Sequence, residues 1–251
     1  HGAHFNDFAR RHPSLVATVL RRADTVAVLS HASAIAVESL LGTGAEVCLV
    51  PNGVELPPEL PEPLKRKEIV FAGEMSRRKG IDVLAAAWPG FSKRNPDWLL
   101  RVFGTEAEDV STLRQLDRVS VEGPVAHSVV ASSLSRASIA VLPSRDEALP
   151  MFLLEAMANS CAIVATDVGQ ISEICTPDNG VLVTAGDVEE LEVALNHLGA
   201  LDASKLESLG GVSRKIVADK YAMSGAMRDL ERMWLRAHRI RTSVVPEDES
   251  S

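Results

Sequence analysis

Two glutamates at a short, defined spacing are the strongest candidates for chemistry in this sequence. Glu147 and Glu155 are separated by seven residues, and Pro150 lies between them where a helix is expected to begin. An ionised carboxylate can accept two hydrogen bonds from a sugar diol, and such charge-assisted bonds are strong. The N-terminus of a helix also favours anions. The stretch therefore indicates a site for a hydroxyl-rich ligand beside an anion site.

A structural interpretation of the same residues is also available. Ser144 and Glu147 have the spacing of a helix-capping box, and Glu155 would then be an exposed helix position. Residue types alone leave both interpretations open. Ser144 lacks the Gly-x-Ser-x-Gly surroundings of a hydrolase nucleophile, which argues against an α/β-hydrolase.

A second candidate site lies in Phe71–Leu84, which reads FAGEMSRRKGIDVL. Here Arg77, Arg78 and Lys79 precede a helix that is predicted to begin near Gly80. Three cations beside a helix N-terminus form a phosphate clamp in principle. A solvated basic loop is the structural alternative.

Other familiar chemical motifs are absent from the sequence. It contains no Walker A sequence, no His-Glu-x-x-His and no Asp-x-Asp. The three cysteines, Cys48, Cys161 and Cys175, have the spacing of neither a disulfide framework nor a zinc site. His127 and His197 fall on predicted helices, where we expect surface or structurally satisfied side chains rather than ligands.

The elements that must position these residues alternate along the chain. Short apolar runs are followed by amphipathic stretches, a pattern typical of an α/β, Rossmann-like doubly wound fold with a parallel sheet. Strands are predicted at Thr25–Leu29, Glu46–Val50, Glu68–Gly73, Trp98–Gly104, Arg118–Glu122, Ser138–Leu142, Ala162–Thr166 and Gly180–Val183. Helices are predicted at Ser30–Leu41, Gly80–Lys93, Glu106–Leu116, Ala126–Arg136, Pro150–Asn159, Asp187–His197, Ala203–Lys220 and Met223–Arg239.

Composition restricts the class of protein. The chain has 251 residues, of which 46% are hydrophobic and 24% charged, and this balance excludes a largely disordered chain or a coiled-coil rod. A net charge of −8 disfavours nucleic acid as a partner. No apolar run is long enough for a transmembrane helix. The sparse cysteines favour a reducing cytoplasm, and peripheral association with the inner face of the membrane stays open.

A proline-rich stretch, ELPPELPEPLKRK at Glu55–Lys67, predicts a stiff connector between two parts of the chain. Only two strand–helix units precede it, too few for a complete domain, and the chain begins with His1 rather than Met. We therefore expect a piece of a longer protein. Its predicted parts are an incomplete domain over 1–55, a linker over 56–67, a larger α/β domain over 68–222, a helix over 223–240 and an acidic tail over 241–251.

Together these stretches resemble the retaining GT-B glycosyltransferases of group 1, or glycosyltransferase family four. The most specific match is LPSRDEALPMFLLEAMANSCAIVATDVGQISEI at Leu142–Ile174, which is similar to the family's Glu-x-seven-Glu signature. Further matches, in the family's order, are VPNGV at Val50–Val54, FAGEMSRRKGIDVLAAAW at Phe71–Trp88 and RVFGTEAED at Arg101–Asp109. The resemblance covers about residues 1–240 and favours the ligand interpretation of the two glutamates. It implies that 1–55 is a remnant of the N-terminal acceptor domain, that 68–222 is the nucleotide-sugar-binding domain and that 223–240 is the return helix.

The resemblance implies roles for the charged residues. Lys79, with Arg78 beside it, would hold the diphosphate of a nucleoside-diphosphate sugar. Glu147 would contact the donor sugar, and Glu155 would bind the ribose hydroxyls. His1, in the pair His1-Gly2, would lie near the acceptor and the donor sugar. Lys79, Glu147 and His1 are thus the implied catalytic residues.

The resemblance also assigns two stretches of backbone. Leu149, Pro150 and Met151 would face the sugar and the diphosphate. The turn that contains Gly123 and Pro124 would lie by the nucleobase.

The implied activity is transfer of a sugar from a UDP-, GDP- or ADP-sugar to an acceptor, with retention of configuration and without a metal or other cofactor. The acceptor would be a glycan, lipid or small molecule, in a setting such as polysaccharide biosynthesis. The alternative is a truncated or degenerate module that binds a nucleotide sugar without turnover. A sugar-nucleotide 2-epimerase shares only the fold, which does not give function.

Several positions depart from the family pattern. Glu74 stands where arginine is usual, so either a neighbouring arginine substitutes, or Glu74 turns away from the diphosphate, or donor turnover is impaired. Ala148 stands where glycine is common, and Asn159–Ala162 replaces the usual Gly-Leu-Pro-Val turn. The helix at Met223–Arg239 would ordinarily return to the N-terminal domain, so we expect its apolar face to be exposed.

Overall fold

The computed structural model describes residues 8–9, 11–29, 31–41, 46–58 and 65–244. These residues divide into two compact units. The larger unit is Val54–Lys220, and the smaller one combines the described residues up to Gly53 with those from Tyr221 onward. His1, Gly2 and residues 245–251 of the predicted acidic tail lie outside the described residues.

The secondary structure alternates between strands and helices. The strands are β1 Thr25–Val28, β2 Glu46–Leu49, β3 Arg66–Ala72, β4 Leu99–Phe103, β5 Val119–Glu122, β6 Ala137–Leu142, β7 Ala162–Thr166 and β8 Gly180–Val183. The helices are α1 Pro13–Leu20, α2 His31–Leu41, α3 Ile81–Arg94, α4 Ser111–Arg114, α5 His127–Arg136, α6 Met151–Ala158, α7 Ile171–Ile174, α8 Val188–Gly199, α9 Ala203–Lys220 and α10 Met223–Val244. A short 3₁₀ turn covers Arg77–Lys79.

The larger unit is built on a six-stranded parallel sheet with the order β5-β4-β3-β6-β7-β8. Every residue of β6 and β7 is buried, as expected for central strands covered on both faces. The strand order reverses between β3 and β6. In open sheets of this kind, ligands bind beyond the carboxyl ends of the strands at such a reversal. The predicted doubly wound fold is confirmed.

The smaller unit contains the parallel pair β1 and β2 with helices α1, α2 and α10. Val28, Val37 and Leu41 form its buried apolar cluster. Helix α10 contacts β1 and, as predicted, exposes apolar side chains along its length. These side chains are Met223, Met227, Leu230, Trp234 and Leu235, which are between 40% and 63% exposed.

Most predicted elements lie within two residues of their observed bounds, but one helix is much shorter than predicted. The pattern predicts a helix over Glu106–Leu116, whereas α4 spans only Ser111–Arg114. Glu106 instead forms a parallel bridge with Met75, and the Ala107 N–H donates to the Met75 carbonyl at 3.3 Å. These residues continue the pairing of β3 and β4 beyond the ends of the two strands, so their backbone groups are not available to a helix.

Other elements were not predicted or extend further than predicted. The structure adds α1 and α7, and α10 continues beyond Arg239 to Val244. Helix α6 begins at Met151, with Pro150 as its N-cap rather than its first helical residue. The unusual turn after α6 places Ser160 at a φ of +57°, a conformation that is uncommon for residues other than glycine.

One lysine joins the ends of two helices at the edge of the sheet where the strands begin. The Lys65 ammonium donates to the carbonyls of Leu134 and Ala137 at the end of α5, at 3.3 and 2.8 Å. It also donates to the Asn159 carbonyl at the end of α6, at 2.6 Å. Because the last carbonyls of a helix lack partners within the helix, this cation stabilises both C-termini.

Candidate functional site

The loops that follow β3 and β6 lie side by side at the point where the strand order reverses. The Arg145 N–H donates to the Arg78 carbonyl at 2.8 Å. Gly80 has a φ of +73°, and a Cβ atom there would lie only 1.8 Å from the Pro143 carbonyl oxygen. Glycine therefore permits this close approach, which brings the two stretches predicted to carry chemistry together.

Lys79 and Glu147, which are 68 positions apart in the chain, meet in this site. The Lys79 ammonium contacts Oε1 of Glu147, and their side chains are only 17% and 8% exposed. The Ser144 hydroxyl donates to the same oxygen at 2.8 Å. A carboxylate this deeply buried is costly unless it is paired and hydrogen-bonded, and here it is both. Both of these contacts fall on Oε1 of the carboxylate.

The surroundings of Ser144 show that the capping-box interpretation is wrong. Helix α6 has no side-chain cap, and the fully buried Ser144 uses its hydroxyl on the Glu147 carboxylate instead. The Thr166 hydroxyl donates to the Ser144 carbonyl, which connects this loop to the end of β7. These hydrogen bonds fix the backbone that carries Glu147.

The segment between the two glutamates leads directly into α6. Leu149 is half-buried, Pro150 is buried, and Met151 is the first residue of the helix. The Gln170 N–H donates to the Ala148 carbonyl at 2.9 Å, so the loop is also held from the β7 side. The first N–H groups of a helix have no carbonyl partner within the helix. The start of α6 therefore presents partial positive charge next to the Lys79–Glu147 pair.

The cations of the basic loop have different surroundings. Arg78 and Glu74 are both about half-exposed, with their charged groups 3.9 Å apart. The Arg78 guanidinium also lies 3.5 Å from the Asp146 carbonyl. The Arg77 N–H donates to the Glu108 carboxylate at 2.7 Å. Glu74 could turn away from the basic loop or towards it. The geometry brings its carboxylate towards Arg78, at the distance of a weak surface ion pair.

A second ion pair, which sequence reasoning missed, ties the two loops together. Arg145 forms a bidentate pair with Asp82, at 2.7 and 2.9 Å, and also donates to the Arg77 carbonyl. Burial acts to raise the pKa of Asp82, but the hydrogen bonds and charge of Arg145 outweigh it and hold that pKa below its usual range. The hydrogen bond to Asp82 raises the pKa of Arg145 in turn. The only sequence signal was an acidic residue in the first turn of a predicted helix.

Glu155 lies about one helical turn into α6, beside a histidine that was not predicted to be functional. Its Oε1 is 3.3 Å from Nε2 of His127, the first residue of α5. The turn that contains Gly123 and the exposed Pro124 joins β5 to this helix. The sequence feature that could have identified His127 was its position, because it closely follows the turn predicted to lie by the nucleobase.

The site thus combines two kinds of chemistry. Lys79, Arg78 and the start of α6 favour an anion, while Glu147 and Glu155 can accept hydrogen bonds from hydroxyl groups.

Burial raises the pKa of the Cys175 thiol to about 12 and also raises that of Cys161, so neither is suited to act as a thiolate nucleophile.

Metal-binding clusters and membrane-spanning helices are both absent from the part of the chain that the structure describes. Within it, no three His, Cys, Asp or Glu side chains converge as potential metal ligands. Nor does any helix in the described ranges combine the length and apolarity needed to span a membrane.

Comparison with protein families assigns the sheet and its loops to a known group. The family described as "Glycosyl transferases group 1" matches residues 66–200, more than half of the chain. This range contains Lys79, Glu147, Glu155 and His127.

Curated relatives carry glycosyltransferase names. The chain is 30% identical over 211 residues to the lipopolysaccharide core biosynthesis mannosyltransferase LpcC of Rhizobium leguminosarum bv. viciae, covering 74% of the chain and 57% of LpcC. It is 29% identical over 183 residues to the phosphatidyl-myo-inositol mannosyltransferase of Mycolicibacterium smegmatis, covering 68% of the chain and 47% of that protein. The chain therefore spans about half the length of these relatives.

Solved structures share the fold. Anabaena HepE, crystallised with UDP, aligns with a TM-score of 0.76 at 17% identity, over 91% of this chain and 68% of that one. Sucrose-phosphate synthase from Thermosynechococcus elongatus aligns with a TM-score of 0.75 at 23% identity, over 92% of this chain and 62% of that one. At these identities the likeness establishes the fold, which is that of GT-B glycosyltransferases.

Proposed function

Because the chain belongs to the group 1 glycosyl transferases, we propose that it binds a nucleoside-diphosphate sugar and transfers the sugar to an acceptor with retention of configuration, as in glycosyltransferase family four. The observation that carries the proposal is the meeting of Lys79 and Glu147 beside the start of α6. This arrangement supplies positive charge for a diphosphate and a carboxylate oxygen for a sugar hydroxyl within one site.

In the proposed mechanism, negative charge develops on the diphosphate as it leaves the anomeric carbon. Lys79, assisted by Arg78 and the N-terminus of α6, stabilises that charge. In the proposed complex, the Lys79 ammonium turns partly from Glu147 towards the phosphate oxygens. Stabilisation of this kind uses charges that the protein itself carries, so the proposal includes no metal and no other cofactor.

The two glutamates act on hydroxyl groups in this proposal. Glu147, held by Ser144, accepts a hydrogen bond from the donor sugar. This hydrogen bond holds the sugar in the orientation in which its anomeric carbon passes through an oxocarbenium-like transition state. Glu155 binds the ribose hydroxyls. The backbone of Leu149, Pro150 and Met151 faces the sugar and diphosphate, and the turn with Gly123 and Pro124 lies by the base.

The proposal also specifies the class of donor base and the class of acceptor. Structures with the same fold were solved with UDP and UDP-glucose, which supports a UDP-sugar ahead of GDP- and ADP-sugars. The names of the lipopolysaccharide core and phosphatidyl-myo-inositol mannosyltransferases support a glycan or lipid-linked acceptor. Such an acceptor would place the protein in the cytoplasm at the inner face of the membrane. His1 keeps its proposed role near the reacting sugar.

A second candidate function is binding of a nucleotide sugar without turnover. The acidic Glu74 within reach of Arg78 supports it, because this carboxylate would oppose a diphosphate. Both functions predict binding of the same donor. They differ in whether the bond between the sugar and the diphosphate is ever broken. Transfer or slow hydrolysis of a radiolabelled UDP-sugar would favour the enzyme.

The proposal is tested by thermal unfolding of the 251-residue chain with UDP, GDP, ADP and their common sugars. A ligand at 100 times its Kd adds about 2.7 kcal/mol to the free energy of unfolding. Lys79→Ala should weaken binding of the active nucleotide sugar more than about tenfold, since it removes the buried cation of the phosphate clamp. Lys205→Ala, at an exposed lysine of α9, is the matched control and should leave binding unchanged. Equal affinities for the parent and Lys79→Ala would refute the clamp.

A further inference from the structure

The contact between His127 and Glu155 joins two helices that both begin at the ligand edge of the sheet. Glu155 Oε1 and His127 Nε2 are 3.3 Å apart, and the side chains are 27% and 73% exposed. Helices α5 and α6 pack against each other, and Lys65 joins their far ends. The imidazole and the carboxylate are therefore carried by packed helices rather than by a free loop.

Each of the two glutamates has a nitrogen-bearing side chain beside it. Glu147 has Lys79 as its cationic partner. His127 is the side chain in the corresponding position beside Glu155, with its Nε2 next to that carboxylate.

The surroundings of His127 leave space on its outer side. Val125 and Val129 are 37% and 41% exposed, and a Cβ atom added at Gly123 would contact nothing within 4 Å. The turn before α5 is thus open next to the imidazole.

We propose that His127 is a positioning residue for the nucleoside half of the ligand: its imidazole holds the Glu155 carboxylate, so that the carboxylate is directed at the ribose hydroxyls. The proposal rests on the proposed function and adds a residue to it. His127 acts through Glu155, and the diphosphate half of the site does not depend on it.

The test is a double-mutant cycle on the full chain, measured by isothermal titration with UDP, GDP, ADP and inorganic pyrophosphate. The variants are His127→Ala, Glu155→Gln and the two combined. His197→Ala, at another exposed histidine near a helix end, is the matched control. Alanine is compatible with an exposed helix position, so His127→Ala should fold normally.

We expect His127→Ala to lower affinity for the bound nucleoside diphosphate about fivefold, which corresponds to about 1 kcal/mol. Affinity for pyrophosphate should not change. In the Glu155→Gln background the His127→Ala change should have almost no effect, because the group it acts through is gone. The His197→Ala control should bind like the parent.

Three results would overturn the proposal: no effect of His127→Ala, an equal loss for pyrophosphate, or losses that add in the double variant. The last would mean that the imidazole contacts the ligand independently of Glu155. If the parent binds pyrophosphate but none of the three nucleotides, the proposed function falls and this inference falls with it. A parent that binds UDP while His127→Ala binds equally well removes only the inference.

Discussion

At the scale of single residues, the site is defined by how its charges are paired. Lys79 and Glu147 are both mostly buried, so each depends on the other for its charge to be tolerated. Removing one partner of such a pair leaves the other uncompensated. We therefore expect substitutions at these two positions to affect both stability and ligand binding, whereas substitutions at the exposed Arg78 should affect binding alone.

The Asp82–Arg145 pair gives a pH-dependent prediction at the same scale. Because the pKa of Asp82 is lowered in the folded state, its contribution to stability is present above the pKa of the unfolded state and is lost as the pH falls through the folded value. The Asp82 side chain is 35% exposed, so solvent screening limits the contribution to about 0.5–1 kcal/mol.

Asp82→Asn should therefore be less stable than the parent by this amount at pH 7, and the difference should shrink below about pH 4. Urea unfolding at a series of pH values measures it. Asp97→Asn, at an exposed acidic residue with a longer contact to Lys67, is the control and should change little. A difference that grows as the solution is acidified would contradict the assignment of this pair.

At the scale of elements, the approach of the two loops depends on a glycine in the left-handed conformation. Gly80→Ala should cost about 2–4 kcal/mol, because both the positive φ and the Pro143 carbonyl oppose a side chain there. It should also weaken nucleotide binding, since it separates Lys79 from Glu147. Chemical denaturation and titration with UDP measure the two effects.

Gly211→Ala, in the middle of α9, is the matched control. A Cβ atom there would contact nothing within 4 Å, so the change should stabilise the helix by about 0.5–1 kcal/mol. Equal behaviour of the two variants would mean that the loop adjusts without strain.

Elements also show what the sequence could and could not predict. Continuous apolar runs such as Ala162–Thr166 predict buried parallel strands because burial on both faces leaves no polar alternation. The helix predicted over Glu106–Leu116 was wrong because tertiary pairing of Glu106 with Met75 outweighed local periodicity. Local pattern contains no information about such a pairing.

The candidate site was predictable in its parts but not in its contacts. Glu147 and Lys79 could be selected by residue type, spacing and resemblance. That the Ser144 hydroxyl serves Glu147 rather than a helix end, and that Arg145 binds Asp82, depends on distances between loops that are far apart in the chain. His127 was missed because a lone histidine on an amphipathic helix has no motif that distinguishes it.

At the scale of the whole molecule, the described site groups all belong to the larger unit. Residues 54–220 contain the complete six-stranded sheet and both loops. We expect this fragment, expressed alone, to unfold cooperatively and to bind UDP with about the affinity of the full chain, since single domains of this size usually form their own core. Circular dichroism and titration test this. A fragment that folds but does not bind would place part of the donor site in the remaining residues.

The position of Lys65 has a consequence for which residues evolution can change freely. Its ammonium lies at the edge of the sheet opposite the ligand loops, about 15 Å away along the ten residues of α5. The two helices whose ends it joins carry His127 and Glu155 near their beginnings. Selection on the proposed nucleotide binding would therefore also act on a side chain that lies away from the ligand loops.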